Sequence, residues 1–294
     1  MPGTRPKAAC EIRSEGVTAA RSGKKHGEIV TAFAPLPEGA VTPGLKVPNF
    51  PDAHAVVAAL ESALDSVSPR SKELTLVFPD AAARVLLLDF DTLPAKRQEA
   101  LSVVRFRLRK MVPFDVETAA VSYQVMAERN GQLNVLVTVM PADVVAEYES
   151  AVRDAGYEPG ALLPSTLAAA AAMEGDGAQL MMNHSRASVT TAVTQGDEML
   201  LHRSMDLPAE PQAREEEMAQ AVITALAWYE DTLKRLPSTM FYAGPGGADA
   251  AQQTRWAALV QPAPRLVDLT PADASAMTSV PAGVVAGVTG ALAT

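Results

Sequence analysis

A single cysteine, Cys10, occurs in the 294 residues. It excludes an internal disulfide framework and a four-cysteine zinc site. In its apolar surroundings it reads as a small core residue rather than a nucleophile. Four histidines, His26, His54, His184 and His202, are too scattered for metal-ligand spacing. There is no apolar run of about eighteen residues, so no membrane-spanning helix is expected. Residues 1–9 are polar, carry Pro2 and Pro6, and lack the apolar centre of a secretory signal. Basic residues are in the minority. The 25 Lys and Arg against 34 Asp and Glu give a net charge of −9, without the dominant basic face that nucleic acid or anionic lipid requires. No Gly-x-Ser-x-Gly context surrounds Ser185. The acid groups Asp89/Asp91 and Glu215–Glu217 fall at strand ends and a helix start, where solvation and capping account for them. No catalytic set and no metal site is expected.

What is present is a globular composition. With 48% hydrophobic residues, a chain of this length buries about three quarters of its unfolded surface, as one large or two medium domains. A cytoplasmic protein is expected. The most informative stretch runs from Lys72 to Ala127. Leu74–Phe78 is a short β-favouring run stopped by Pro79-Asp80, and Arg84–Phe90 is a second, closed by Leu93-Pro94. Leu101, Val104 and Leu108 recur at helical spacing between 95 and 111, and Pro113-Phe114 ends that helix. Strands at 119–125 and 134–140 pair across Arg129-Asn130-Gly131-Gln132, a hairpin signal. The module holds no histidine, cysteine or phosphate loop, so its expected work is to present a surface.

Leu76-Val77-Phe78-Pro79-Asp80, Leu93-Pro94, the helix end Arg105 to Phe114, the Tyr123-Gln124-Val125 strand and Ala155-Gly156-Tyr157-Glu158-Pro159 occur in an order that resembles the PilM family of type IV pilus assembly proteins. The resemblance implies a two-lobed, duplicated actin-like α/β fold (ribonuclease H-like) with a small inserted α+β subdomain in the first lobe. The expected division is a first lobe over 1–71 with 157–175 returning to it, an insert over 72–156, and a second lobe over 176–294. A reduced helical subdomain is expected at 205–239, and the lobe boundary at Glu174–Gly177. Each half starts with a β-hairpin and a third strand, which agrees with duplication, although no residue-level repeat is visible.

The remaining elements follow from local signals. Asp52 reads as the N-cap of a helix to Val67, with Val56, Leu60, Ala63 and Leu64 on one face. A helix from Pro141 ends at Gly156, and an alanine-rich helix over 165–173 should pack closely against a neighbour. A long helix is expected over 215–236, with acidic residues in its first turn and Lys234-Arg235 in its last. The apolar segment 281–293 reads as a helix broken by Gly283, Gly287 and Gly290.

The resemblance also makes the nucleotide question concrete. Active members of the superfamily carry two Asp-x-Gly hairpins for metal-bound water and phosphate, and a Gly-Gly turn against the adenosine. Here the first hairpin reads Glu11-Ile12-Arg13 and the second Asn183-His184-Ser185, while Gly244-Pro245-Gly246-Gly247 is intact. An arginine fills the phosphate approach, and an amide neither acts as base nor binds magnesium strongly. A degenerate, non-hydrolysing ATPase fold is therefore expected. If ATP with magnesium is retained, it would lie against Ser14, Gly16, Asn183, Ser185, Gly244, Gly246 and Gly247. Arg13 itself, at a hairpin tip, is expected to be solvated.

Arg105, Arg107, Arg109 and Lys110 cluster at a helix C-terminus, which the helix dipole favours on its own. With Phe106, Pro113 and Phe114 they also suit a docking region for an extended peptide. By resemblance the partner is the N-terminal cytoplasmic tail of a bitopic inner-membrane protein (PilN-like), and the region is Arg105, Phe106, Arg109, Lys110, Pro113 and Phe114. The implied role is an assembly platform on the cytoplasmic face of the inner membrane, without inserting into it, linked to the pilus motor ATPase. Alternatives are an active actin-like ATPase, a filament-forming relative, or the cytoplasmic domain of a type II secretion assembly protein (GspL-like). That last family normally carries its own membrane helix, so a chain ending without one favours the pilus reading.

Overall fold

The protein is described by a computed structural model over residues 6–24, 27–173, 175, 177–269, 274–277 and 279–293. His26, and Glu174 and Asp176 of the expected boundary, lie outside the described residues.

The chain begins with a hairpin, β1 (Ala8–Arg13) and β2 (Gly16–Ser22), followed by β3 (Ile29–Pro35). Helix α1 (Ala53–Val67) then starts on Asp52, whose carboxylate accepts from the Ala55 amide at 3.0 Å, and it buries the expected face. Strand β4 (Glu73–Phe78) lies parallel to β1, and β8 (Glu158–Pro164) lies parallel to β4. Between them α3 (Ala142–Asp154) packs Val144, Tyr148 and Val152 into the same core as α1. Gly156 ends that turn at φ +80°.

The second lobe repeats the plan. Hairpin β9 (Ala178–His184) and β10 (Ser188–Gln195) leads to β11 (Glu198–Asp206), helix α5 (Pro211–Leu233), β12 (Thr239–Ala243), α6 (Ala250–Leu259) and β13 (Arg265–Asp268). Sheet orders are β14-β3-β2-β1-β4-β8 and β11-β10-β9-β12-β13, where β14 is Ala274–Ala276. Leaving β14 aside, the two sheets have one topology: hairpin and third strand on one side, two parallel crossovers on the other. This is the duplication in physical form.

Several expected boundaries move. Strand β4 and helix α3, expected in the insert, belong to the first-lobe sheet and core. The insert proper is β5 (Arg84–Phe90), α2 (Arg97–Leu108), β6 (Ala120–Arg129) and β7 (Gln132–Met140), a separate sheet ordered β5-β7-β6. An apolar run such as Leu74–Phe78 reads the same in either sheet, and only its partner decides. The stretch 205–239 is no separate subdomain. Helix α5 is the counterpart of α1, burying Met218, Val222, Leu226 and Tyr229 on the five-stranded sheet. It begins at Pro211, with Glu210 as N-cap, so Glu215–Glu217 fall in its second turn. Segment 274–293, expected in the second lobe, supplies β14 beside β3 and helix α7 (Ala286–Leu292) against β1. Gly287 and Gly290 lie inside α7 and do not break it. A Cβ on Gly290 would sit 1.8 Å from the Ala168 carbonyl oxygen of α4 (Ser165–Ala170). The alanine-rich helix thus packs as closely as its small side chains allow.

Candidate functional site

The expected hairpins do meet between the lobes, and there they bond to each other. Arg13 closes β1 opposite Gly16 and is only 4% exposed, so the expectation of a solvated hairpin tip is overturned. Its Nη2 donates to Asn183 Oδ1 at 2.9 Å and to the His184 carbonyl at 2.7 Å. Its Nη1 lies 3.5 Å from Glu11 Oε1. Two residues apart on one strand, Glu11 and Arg13 point to the same face. Ser165 Oγ donates to Glu11 at 2.5 Å, and Asn183 Nδ2 donates to Ser165 Oγ at 2.8 Å and to Thr166 Oγ1 at 3.0 Å. Asp80 continues the chain. Its carboxylate accepts from the Thr166 amide at 3.1 Å, from the Thr166 hydroxyl, and from Thr190 Oγ1 at 2.9 Å. The network therefore ties β1, the turn after β4, α4 and the β9–β10 hairpin into one buried polar seam.

Burial and charge set the protonation states. Burial raises the Glu11 pKa above the usual carboxylate value, while Arg13 and the Ser165 hydrogen bond pull it back. His184 goes the other way. Burial first, and Arg13 second, lower it to about 4, so the ring is neutral at pH 7. Its Nε2 lies 2.5 Å from the Tyr242 hydroxyl, which also accepts from Gln252 Nε2 at 3.1 Å. A neutral imidazole accepting from Tyr242 satisfies both groups.

Of the expected nucleotide residues, all but the exposed Gly246 have structural employment or are closed off. A Cβ on Gly16 would lie 2.4 Å from the Phe33 ring, so this glycine answers β3 packing rather than a phosphate. Ser14 is buried. Ser185 Oγ accepts from the Ala187 and Ser188 amides at 3.2 and 3.3 Å, holding its own turn. The Gly244 amide donates to the Gly283 carbonyl at 2.8 Å, and a Cβ on Gly283 would sit 1.9 Å from the Gly244 oxygen. Gly246 and Gly247 adopt positive φ of 94° and 66° in the same turn. Gly244 is thus covered by the chain's own 283–285 segment, with Thr18 Oγ1 donating to the Val284 carbonyl at 3.2 Å, while Gly246 stays exposed.

What is left between Glu11, Arg13, Asp80, Asn183 and Ser185 is a cavity of about 10 Å³. That volume holds about one water, whereas small-molecule sites run to about 300 Å³ or more. No cluster of His, Cys, Asp or Glu suited to a metal occurs among the described residues. In this conformation the residues present do not fit ATP with magnesium: the arginine occupies the approach, and Asp80 and Glu11 Oε1 are committed to hydroxyls, an amide and Arg13. Glu11 was read only as part of the altered first hairpin and Asp80 only as part of a motif, and Ser165, Thr166 and Thr190 carried no expected role at the cleft. The available signal was Pro79-Asp80 and Pro164-Ser165-Thr166, two strand ends that each place polar side chains at the cleft.

The expected partner region divides in two. Arg105 donates to the Val116 carbonyl and, at 2.9 Å, to the Ala119 carbonyl, and Arg109 binds Glu117 Oε1 at 2.7 and 3.0 Å. Phe114 packs on the insert core. Pro113 and Lys110 are exposed, and Phe106 is 71% exposed.

Neither a protein-family model nor a curated protein matches the chain. Solved structures do. A PilM–PilN type IV pilus biogenesis complex aligns at 15% identity over 98% of both chains, with a TM-score of 0.78. The cytoplasmic domain of EpsL, an inner membrane component of the Vibrio cholerae type II secretion system, aligns at 12% identity over 96% of this chain and 92% of that one, TM-score 0.51. A Bacteroides thetaiotaomicron protein with an actin-like ATPase fold aligns at 9% identity over 92% of both, TM-score 0.50. At such identities the likeness establishes architecture: the chain has the actin-like ATPase fold, and its likeness to PilM extends over its whole length.

Proposed function

We propose that this protein is a non-hydrolysing assembly platform of a type IV pilus or related secretion machine, binding the N-terminal tail of a membrane-anchored, PilN-like partner. The carrying observation is the full-length likeness to the PilM–PilN complex at TM-score 0.78. The EpsL likeness at 0.51 supports the wider class of inner-membrane secretion platforms and ranks second. Among the described residues no helix is long and apolar enough to cross a membrane. On this reading, attachment to the cytoplasmic face of the inner membrane comes through the partner's tail, with the motor ATPase as a further contact. We assign the tail to the turn just after α2, carrying Arg109, Pro113 and Phe114, where Arg105 and Arg109 brace the segment leading into β6.

The seam supports the pseudoenzyme part. Arg13 supplies internally the positive charge that a metal-bound phosphate site would need, and Asn183 has no charge to offer a metal. Calorimetric titration tests both parts. The expected result is heat with the partner's N-terminal peptide and none with magnesium and ATP. Micromolar nucleotide affinity would overturn the pseudoenzyme reading. Silence towards the peptide would overturn the platform reading.

A further inference from the structure

The outward face of α2 shares only Phe106 and Lys110 with the region expected to take the tail, and Val103, Arg107 and Met111 are unused by that reading. Between 96 and 111 the chain carries six basic residues and one acid, in a protein of net charge −9. At 100° per residue, Ala100, Val104 and Leu108 form the buried stripe, and Arg105 and Arg109 turn to the 113–119 side. Val103, Phe106, Arg107 and Lys110 face outward. Val103 is 37%, Phe106 71% and nearby Met111 44% exposed. Arg107 and Lys110 have no ion-pair partner among the described residues, unlike Arg109.

Helix α5 presents the complementary stripe. Its residues Glu216, Gln220, Ile223, Ala227, Glu230 and Asp231 follow a single exposed line, opposite the buried Val222–Leu226–Tyr229 face. Ile223 is 40% exposed at its centre, and the acids lie about 10 Å along the axis to either side. Glu230 and Asp231 form no ion pair among the described residues. One stripe is apolar with basic flanks and the other apolar with acidic flanks, each on a rigid helix docked to its own sheet.

We propose that these two faces bind each other between copies of the chain, α2 of one molecule against α5 of the next. Because the two patches differ, the contact is head-to-tail and leaves a free α2 at one end and a free α5 at the other, so association continues beyond a dimer. A single helix pair buries less than the area of a stable interface, so the contact is weak and salt-sensitive.

Sedimentation velocity between about 5 and 200 µM, at low and high salt, provides the test for a weak, charge-dependent contact. The expected result is a sedimentation coefficient that rises with concentration in low salt and falls back to the monomer in high salt. Phe106→Ser and Ile223→Ser, both at exposed positions, are each expected to remain monomeric. Their equimolar mixture is expected to stop at a 1:1 dimer, because one intact face of each kind remains. A wild type that stays monomeric throughout would overturn the proposal, as would self-association that survives either substitution. So would a wild-type monomer whose α2 binds vesicles of anionic lipid. Titrating the partner's tail peptide against Ile223→Ser keeps the two readings apart, since peptide affinity is expected to be unchanged.

Discussion

At the scale of single residues, Arg13 reaches across the lobes to Asn183 and the His184 carbonyl while standing beside Glu11. Replacing it with methionine removes two hydrogen bonds and leaves Glu11, itself fully buried, without its cation. An orphaned buried charge costs about 3–5 kcal/mol, and urea unfolding of Arg13→Met should show a loss of that order. Glu11→Gln should cost less, because the guanidinium keeps Asn183 and the His184 carbonyl. His184 adds a pH dependence whose sign can be worked out. Its folded pKa of about 4 lies below the ordinary 6.5, so the unfolded chain binds more protons between these values. Its stabilising contribution is present above 6.5 and is lost as pH falls towards 4. At about 1.4 kcal/mol per pH unit, reduced for partial exposure, the loss is on the order of 2 kcal/mol. Glu11 acts in the opposite sense, its raised pKa favouring the fold at low pH. Comparing thermal midpoints of wild type and His184→Gln from pH 7 to 4.5 isolates the histidine, and the variant should show the flatter acid limb.

At the scale of elements, α7 meets α4 where a Cβ on Gly290 would clash with the Ala168 carbonyl. Replacing a helical glycine with alanine ordinarily gains about 1 kcal/mol. Gly290 should do the reverse, because the new methyl would meet the Ala168 carbonyl at 1.8 Å. Overpacking of this kind costs about 1–3 kcal/mol, so denaturant midpoints should place Gly290→Ala below wild type. A gain would mean that α7 is free to move off α4. The same elements show what was legible beforehand. Asp52, Gly156 and the Asn130-Gly131 turn act within a few residues of themselves, and their signals were readable. Strand β4 was misassigned because its apolar run is compatible with either sheet. Arg13 was misjudged because Asn183, its partner, is 170 residues away, and no local pattern records that distance. Of the cleft, sequence reasoning had the altered hairpins but not the seam they build, since hydroxyls such as Ser165 and Thr166 become informative only beside Glu11, Asp80 and Asn183.

At the scale of the whole molecule, the insert works as a strap between lobes. Its sheet has two occupied faces. Leu88, Phe90, Val135 and Val137 pack beneath α2, while Leu87, Met126 and Leu136 join the cluster that contains Met181, Ala192 and Met199 of the second lobe. Leu87 and Leu136 are direct cross-strand neighbours, so they present one apolar step to β11. Arg129, at the end of β6, pairs with Glu198, at the start of β11, and closes the far edge. Together with the seam around Arg13, the Gly244–Gly283 contact and the Arg186 contacts to Glu15 and Glu38, this attaches the lobes at several points, an arrangement suited to holding one shape rather than cycling with a nucleotide. Met199→Ser tests the strap without touching the seam. Truncating a buried methionine costs about 2–5 kcal/mol, and serine at this position should fall within that range. The more discriminating readout is amide hydrogen exchange. If the insert and second lobe are coupled as described, protection should fall together in β5–β7 and in β10–β11, while β1–β3 and α1 keep theirs. Faster exchange confined to β10–β11 would show that the insert is held by the first lobe alone, leaving the Arg13 seam and the Gly244–Gly283 contact to fix the lobes without it.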